Sequence, residues 1–96
     1  EAGTYVRGTA QLINGYARVQ LPEHFSLVTN DKGLTVQITP LGKCNGLYVE
    51  NKTSKEIVVR ELLSGTSNVK FDYMANGIRK GYENHQVIRT KSITSN

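Results

Sequence analysis

The chain lacks tryptophan altogether and has one cysteine, one methionine and two prolines among its 96 residues. A single cysteine excludes an internal disulfide and any zinc site built from several cysteines. No apolar run approaches the roughly 18 residues of a membrane-spanning helix, so we expect no membrane insertion. Aromatic residues make up 7% and hydrophobic residues 38% of the sequence. Because so little apolar surface is available for a core, we expect one copy to be only marginally stable and to associate with others.

The net charge of +4 is modest and unevenly placed. Residues 77–96 contain four basic side chains and one acidic side chain. Such an excess is typical of a surface that attracts phosphate or an acidic glycan, but it is also typical of a solvated C-terminal segment. The wide spacing of the charges favours the solvated segment. Nucleic-acid-binding modules cluster basic and aromatic residues on one element, so we expect no nucleic-acid partner.

The strongest local signal is the Asn-Gly dipeptide at residues 14–15, which separates two alternating runs at residues 9–13 and 16–21. Asn-Gly favours a two-residue type I′ turn, because both central positions of that turn need positive φ. The sequence therefore predicts a β-hairpin in which the two runs pair directly. The apolar side chains that this register brings to one face are Ala10, Leu12, Ala17 and Val19.

The rest of the chain alternates in short apolar and polar runs punctuated by turn residues. Pro22 ends the second run. The pattern of residues 22–28 predicts a single helical or 3₁₀ turn, and residues 29–33 predict a polar loop. Further strands are predicted at residues 34–39, 47–50, 56–62 and 69–75. The last of these places Phe71, Tyr73 and Ala75 on one face with Val69.

Six or seven short strands without a helix of ten residues predict an all-β fold. Short connections favour antiparallel pairing, either as a small sandwich or as a meander. The sequence indicates one domain over residues 1–83 and a C-terminal basic tail over residues 84–96.

Candidate catalytic groups are few. His24 follows Pro22 in the predicted helical turn, His85 lies in the tail, and Cys44 lies in a predicted turn beside Lys43. A catalytic base or nucleophile needs a partner that orients or activates it, and no motif supplies one. We therefore expect no catalytic residues, no metal site and no cofactor, and we expect Cys44 to be a half-buried turn residue. An enzyme that depends on Cys44 or His24 remains a remote alternative.

Candidate ligand-binding residues are the tyrosines and cations of the second half of the chain. Tyr and Arg are preferred at binding hot spots, and tyrosine rings suit the faces of sugars. The candidates are Tyr48, Arg60, Arg79, Lys80 and Tyr82. Structural or subunit contacts are the alternative role for the same side chains. The sequence also has a glycosylation sequon, Asn51-Lys52-Thr53, which matters only in a eukaryotic secretory setting.

Several stretches go beyond a generic β pattern: GYARVQLP with Phe25 after it, then CNGLYV, VREL, SNVKFDY and RKGYE. Together they resemble a β-module found near the C-termini of bacterial surface proteins and phage tail-fibre-like proteins, and the resemblance covers residues 8–83. It implies a part of a long extracellular fibre, commonly a homotrimer, whose terminal domains face the target cell. The family has no catalytic motif to carry over, and it assigns no binding residues.

We therefore expect a non-catalytic structural and adhesive module of a trimeric fibre at the cell surface or on a virion. Its expected partners are copies of itself and a surface glycan or envelope component. The alternative is a monomeric carbohydrate- or protein-binding domain appended to a secreted enzyme.

Overall fold

A computed structural model describes residues 3–81 of the chain. This part forms six strands, one short α-helix and one turn of 3₁₀ helix. In chain order the elements are β1 (Gly3–Gln11), β2 (Tyr16–Gln20), α1 (Glu23–Val28), β3 (Thr29–Pro40), β4 (Leu47–Lys52), β5 (Glu56–Glu61), the 3₁₀ turn (Leu62–Ser64) and β6 (Lys70–Arg79). The predicted helical turn and the strands in the second half of the chain are confirmed.

The strands form two three-stranded sheets in which all neighbours are antiparallel. The first sheet has the order β1-β6-β3 and the second has the order β2-β5-β4. The predicted all-β antiparallel fold is therefore confirmed. Each central strand comes from the second half of the chain, so the N-terminal strands β1 and β2 are held by partners more than 35 residues away.

The core lies between the inner faces of the two sheets. Phe71 and Ala75 of β6 and Ile57 and Val59 of β5 are fully buried there. Phe25 closes the core from α1, because the helix places it three residues after Pro22 and leaves His24 exposed. The inner face predicted for residues 69–75 is confirmed, with Val69 and Tyr73 partly buried against the same cluster.

The predicted hairpin of residues 9–13 with residues 16–21 is wrong beyond its turn. Asn14 and Gly15 have positive φ and close the expected two-residue turn, with a single bridge between Ile13 and Tyr16. The two strands then separate, β1 pairing with β6 and β2 with β5. Each has its apolar side on the core all the same, because the alternation that fixed the buried face does not fix the pairing partner.

The predicted polar loop at residues 29–33 is also wrong, because β3 begins at Thr29. The register against β6 shifts between Asn30 and Thr35, so the intervening residues form a bulge within the strand. Gly33 supplies positive φ in this bulge. Turn-forming residues are accommodated here because a bulge needs the same backbone freedom as a turn.

No helix among residues 3–81 is long and apolar enough to cross a membrane. The predicted domain boundary at residue 83 and the basic tail of residues 84–96 lie outside the described residues, as does His85.

Candidate binding surface

The outer face of the second sheet presents two tyrosines on either side of one arginine. Arg60 of β5 lies directly opposite Tyr16 of β2 and opposite Tyr48 of β4. The three side chains point away from the core because their strand neighbours, such as Val59, point into it. We call Tyr16, Arg60 and Tyr48 the tyrosine–arginine row.

The geometry of the row holds Arg60 over the Tyr16 ring. Its guanidinium carbon lies 4.6 Å from the ring centroid, within cation–π range. Backbone pairing explains this closeness: the N–H of Glu61 donates to Gly15, so Arg60 and Tyr16 form a non-hydrogen-bonded pair, in which side chains approach most closely. Arg60 Nε also donates to Glu50 Oε1 at 2.8 Å, and this bond raises the pKa of Arg60 above its already high value.

The charges on this face are nearly balanced. Arg60 is paired with Glu50, and Arg18 Nε lies 3.6 Å from Glu56 Oε1. A face on which each guanidinium already meets a carboxylate has little net attraction for an anion. Tyr48 leaves 40% of its surface exposed, so part of its side chain is open to a ligand. The arrangement therefore suits a neutral, hydroxyl-rich ligand better than a strongly acidic one.

The five residues predicted as a binding patch are only partly brought together. Tyr48 and Arg60 are cross-strand neighbours. Arg79 and Lys80 lie at the far end of β6, where the N–H of Lys80 donates to Val28. The ten residues of β6 span about 30 Å at 3.3 Å per residue, so the two pairs occupy opposite ends of the protein. Tyr82 lies outside the described residues.

Sequence reasoning missed Tyr16. Because Ala17 and Val19 were expected in the core, alternation along the strand already placed Tyr16 on the outer face. Nothing local could show that β5 would bring Arg60 beside it, since 44 positions separate the two residues in the sequence.

Three connections meet at the opposite end of the sandwich from α1: the turn at residues 14–15, residues 41–46 and residues 62–69. We call this region the loop end. Backbone bonds join them, including Gly15 N–H to Ser67 at 2.8 Å and Leu62 N–H to Gly46 at 2.9 Å. The large apolar side chains that are exposed in or directly beside these connections are Ile13, Leu41, Leu62 and Leu63.

Leu63, in the loop end, combines high solvent exposure with an unfavourable backbone conformation. It is 85% exposed and has φ 57° and ψ 34°, the left-handed helical region. A left-handed conformation costs a non-glycine residue about 1–2 kcal/mol. Ser64 also has positive φ. The loop therefore holds a large apolar side chain in solvent at a conformational cost.

The first sheet has an open depression of about 520 Å³ on its outer face. Thr9 donates to Asp72 there across a 2.7 Å hydrogen bond. The other lining residues include Arg7, Gln37, Thr39 and Met74. The depression mixes one cation, one anion and neutral polar groups without a histidine or cysteine.

His24 and Cys44 do not form a catalytic pair. His24 lies on α1, whose C-terminal end contacts Lys80, whereas Cys44 lies at the loop end. Cys44 is half-buried in its turn, as predicted. Among residues 3–81 there is no group of three or more metal-binding side chains.

In comparisons with known proteins, no protein family matches the chain, and no curated protein is significantly similar to it in sequence.

Proposed function

We propose that this chain is a non-catalytic structural and adhesive module of an extracellular fibre, at a cell surface or on a virion. Three copies assemble through the loop end, and the tyrosine–arginine row binds a surface glycan or envelope component. The observation that carries this proposal is Leu63, an apolar side chain that is held in solvent by a strained backbone. Backbone strain of this kind clusters at functional sites such as ligand clamps and switch regions.

Assembly would bury apolar side chains that are exposed in a single copy. Ile13, Leu41 and Leu63 leave 62%, 52% and 85% of their surfaces exposed. Burial of such area contributes about 25 cal/mol per Å². A three-fold arrangement repeats the same contact three times, so a small loop-end contact becomes a closed assembly.

Recognition is supported by the tyrosine–arginine row. Tyr48 presents its ring beside the hydrogen-bond donors of Arg60, and Arg60 is fixed by Glu50 and Tyr16. A fixed donor beside an aromatic ring suits a sugar, because stacking and hydrogen bonding occur together. Three copies would present three rows, so weak individual contacts would add through avidity.

The assembly proposal is tested by light scattering after size-exclusion chromatography at micromolar concentration. We expect a mass that is a multiple of three copies, and we expect Leu63→Ser to break this three-fold assembly. Leu27→Ser is the matched control, because Leu27 is 64% exposed on α1 at the other end. A wild-type monomer, or equal masses for the two variants, would contradict assembly through the loop end.

The recognition proposal is tested on a glycan array. We expect binding to neutral glycans that falls at least tenfold in Tyr48→Ala. Leu27→Ala is the control, because Leu27 is 64% exposed on α1, away from the row. Equal binding by both variants would contradict a role of the tyrosine–arginine row in glycan binding.

The second candidate is a monomeric carbohydrate- or protein-binding domain appended to a secreted enzyme. It is favoured by the fact that one copy contains the whole tyrosine–arginine row. A monomer that binds a glycan through Tyr48 would select this candidate over the fibre module.

A further inference from the structure

Three of the four sheet edges carry features that discourage strand pairing. The strand β2 has only five residues and is followed closely by Pro22. The strand β3 contains a bulge and ends at Pro40. The strand β4 has a register shift after Val49. Short strands, bulges and prolines are the usual protection of edges against another chain.

The edge formed by β1 has none of these features. It pairs with β6 over nine consecutive residues without a register shift. The strand has no proline, and Arg7 is its one charged residue. A long, regular and nearly uncharged edge is the kind that accepts another strand.

The direction of the free backbone groups follows from one hydrogen bond. The N–H of Leu12 donates to Val69 at 2.9 Å, so even-numbered residues of this strand point their backbone groups at β6. Odd-numbered residues therefore point theirs away from the sheet. Within residues 3–81, no hydrogen bond is made by the backbone groups of Tyr5, Arg7 and Thr9 on that side.

We propose that β1 pairs antiparallel with β1 of a second copy, with the two Val6 residues facing each other at a two-fold axis. In this register Tyr5 of each copy lies opposite Arg7 of the other copy. Both of these Tyr5–Arg7 pairs are hydrogen-bonded pairs. On the outer face the Arg7 guanidinium then lies beside the exposed Tyr5 ring. On the inner face the two Val6 side chains, already partly buried against the core, meet.

Neighbouring registers are less favourable. A shift of two residues in one direction places Arg7 opposite Arg7, and like charges directly opposite are destabilising. A shift in the other direction shortens the overlap of residues 3–9 to residues 3–7. Charge and overlap therefore select the register centred on Val6.

This contact goes beyond the proposed fibre function, because it lies on a different element from the loop end. It would join two copies, or two trimers, through a continuous six-stranded sheet. Either contact can fail while the other holds.

The first test compares Arg7→Pro with Arg7→Val by light scattering. Both variants lose the charge, but only proline removes the outward N–H, and neither touches a hydrogen bond to β6. We expect Arg7→Val to stay paired, and we expect the mass to halve in Arg7→Pro with an unchanged circular dichroism spectrum. Equal masses for Arg7→Pro and Arg7→Val reject the pairing of β1 with a second copy. This holds whether the β1 edge is unpaired or is paired with another segment of the same chain.

The second test does not depend on how well Arg7→Pro folds. In a Cys44→Ser background, Val6→Cys should form an intermolecular disulfide, because facing residues of a non-hydrogen-bonded pair have Cα atoms about 4.5 Å apart. Arg18→Cys, exposed on the second sheet, is the control. Equal cross-linking in both variants rejects the pairing.

The outcomes separate the two proposals. A trimer without the Val6→Cys cross-link rejects strand pairing and leaves the fibre proposal standing. A cross-linked dimer that is insensitive to Leu63→Ser supports strand pairing and contradicts assembly through the loop end.

Discussion

The carboxylate of Glu61 accepts the backbone N–H of Asn45 at 2.9 Å on one oxygen, and the other oxygen accepts the N–H of Ser67 at 2.8 Å. The backbone N–H of Glu61 itself donates to Gly15. One residue at the end of β5 therefore joins all three connections of the loop end. Glu61 is only 6% exposed, so this buried side chain depends on those two donors.

Acidic pH should destabilise the loop end. The hydrogen bonds from Asn45 and Ser67 lower the pKa of Glu61 below its ordinary value. Its stabilisation is therefore complete above the unfolded-state pKa, about 4.3, and is lost as pH falls through the lower folded-state pKa. We expect Glu61→Gln to melt below the wild type at pH 7, and we expect that difference in Tm to shrink towards pH 3.

The matched control is Glu23→Gln, since Glu23 is exposed on α1. Its Tm should follow the wild type across the same pH range. A Glu61→Gln deficit that stays constant from pH 7 to pH 3 would contradict the role of the ionised carboxylate.

Removing the strain at residue 63 should stabilise the monomer. Glycine adopts the left-handed region without a steric cost, whereas alanine does not. Because Leu63 has φ 57°, we expect Leu63→Gly to be about 1 kcal/mol more stable than Leu63→Ala. Urea unfolding of both variants, at a concentration where neither associates, measures the difference. Equal unfolding free energies would show that the residue is not held in this conformation.

Gly8 should not tolerate alanine. A Cβ at Gly8 would lie 2.6 Å from the hydroxyl oxygen and 2.9 Å from Cζ of Tyr73, which lies directly across the strand pair. We expect Gly8→Ala to cost about 1–3 kcal/mol by overpacking. Gly3→Ala is the control on the same strand, because its Cβ would meet its nearest atom at an ordinary 3.7 Å. The free energy of unfolding in urea should distinguish them, and equal losses would contradict the close contact with Tyr73.

The turn between β1 and β2 should be sensitive at its second position only. Gly15 has φ 77°, and a Cβ there would overlap the carbonyl oxygen of Gly65. We expect Gly15→Ala to lower the Tm by several degrees, since it adds a clash to a strained φ. Asn14→Gly should be tolerated, because glycine accepts the φ of 54° at that position. Thermal melts of both variants test this prediction. An unchanged Tm for Gly15→Ala would contradict the close approach of the Gly65 carbonyl oxygen to residue 15.

The buried faces of the strands could be predicted from sequence, but their partners could not. The alternation around Leu12 and Val19 correctly placed both side chains in the core. The Asn-Gly turn was also correct, yet it connects two sheets instead of two paired strands. Alternation reports only which side of a strand is apolar, and long-range pairing with β5 and β6 decided the rest.

The candidate site shows the same limit. Tyr48 and Arg60 were recognised by residue type, and the pairing of β4 with β5 makes them neighbours. Arg79 and Lys80, chosen on the same grounds, lie at the other end of β6. Residue type identifies side chains that bind well, but closeness in space depends on which strands pair.

The sequence by itself determined the strand class, the buried faces, the helical turn and the type I′ turn, because each depends on residues within one short segment. The tertiary structure alone decided that Glu61 joins three connections, that Tyr16 lies against Arg60 and that β1 lies at a sheet edge. Each of these depends on contacts between segments that are distant in the chain, and many pairings are compatible with the same local pattern of polar and apolar residues.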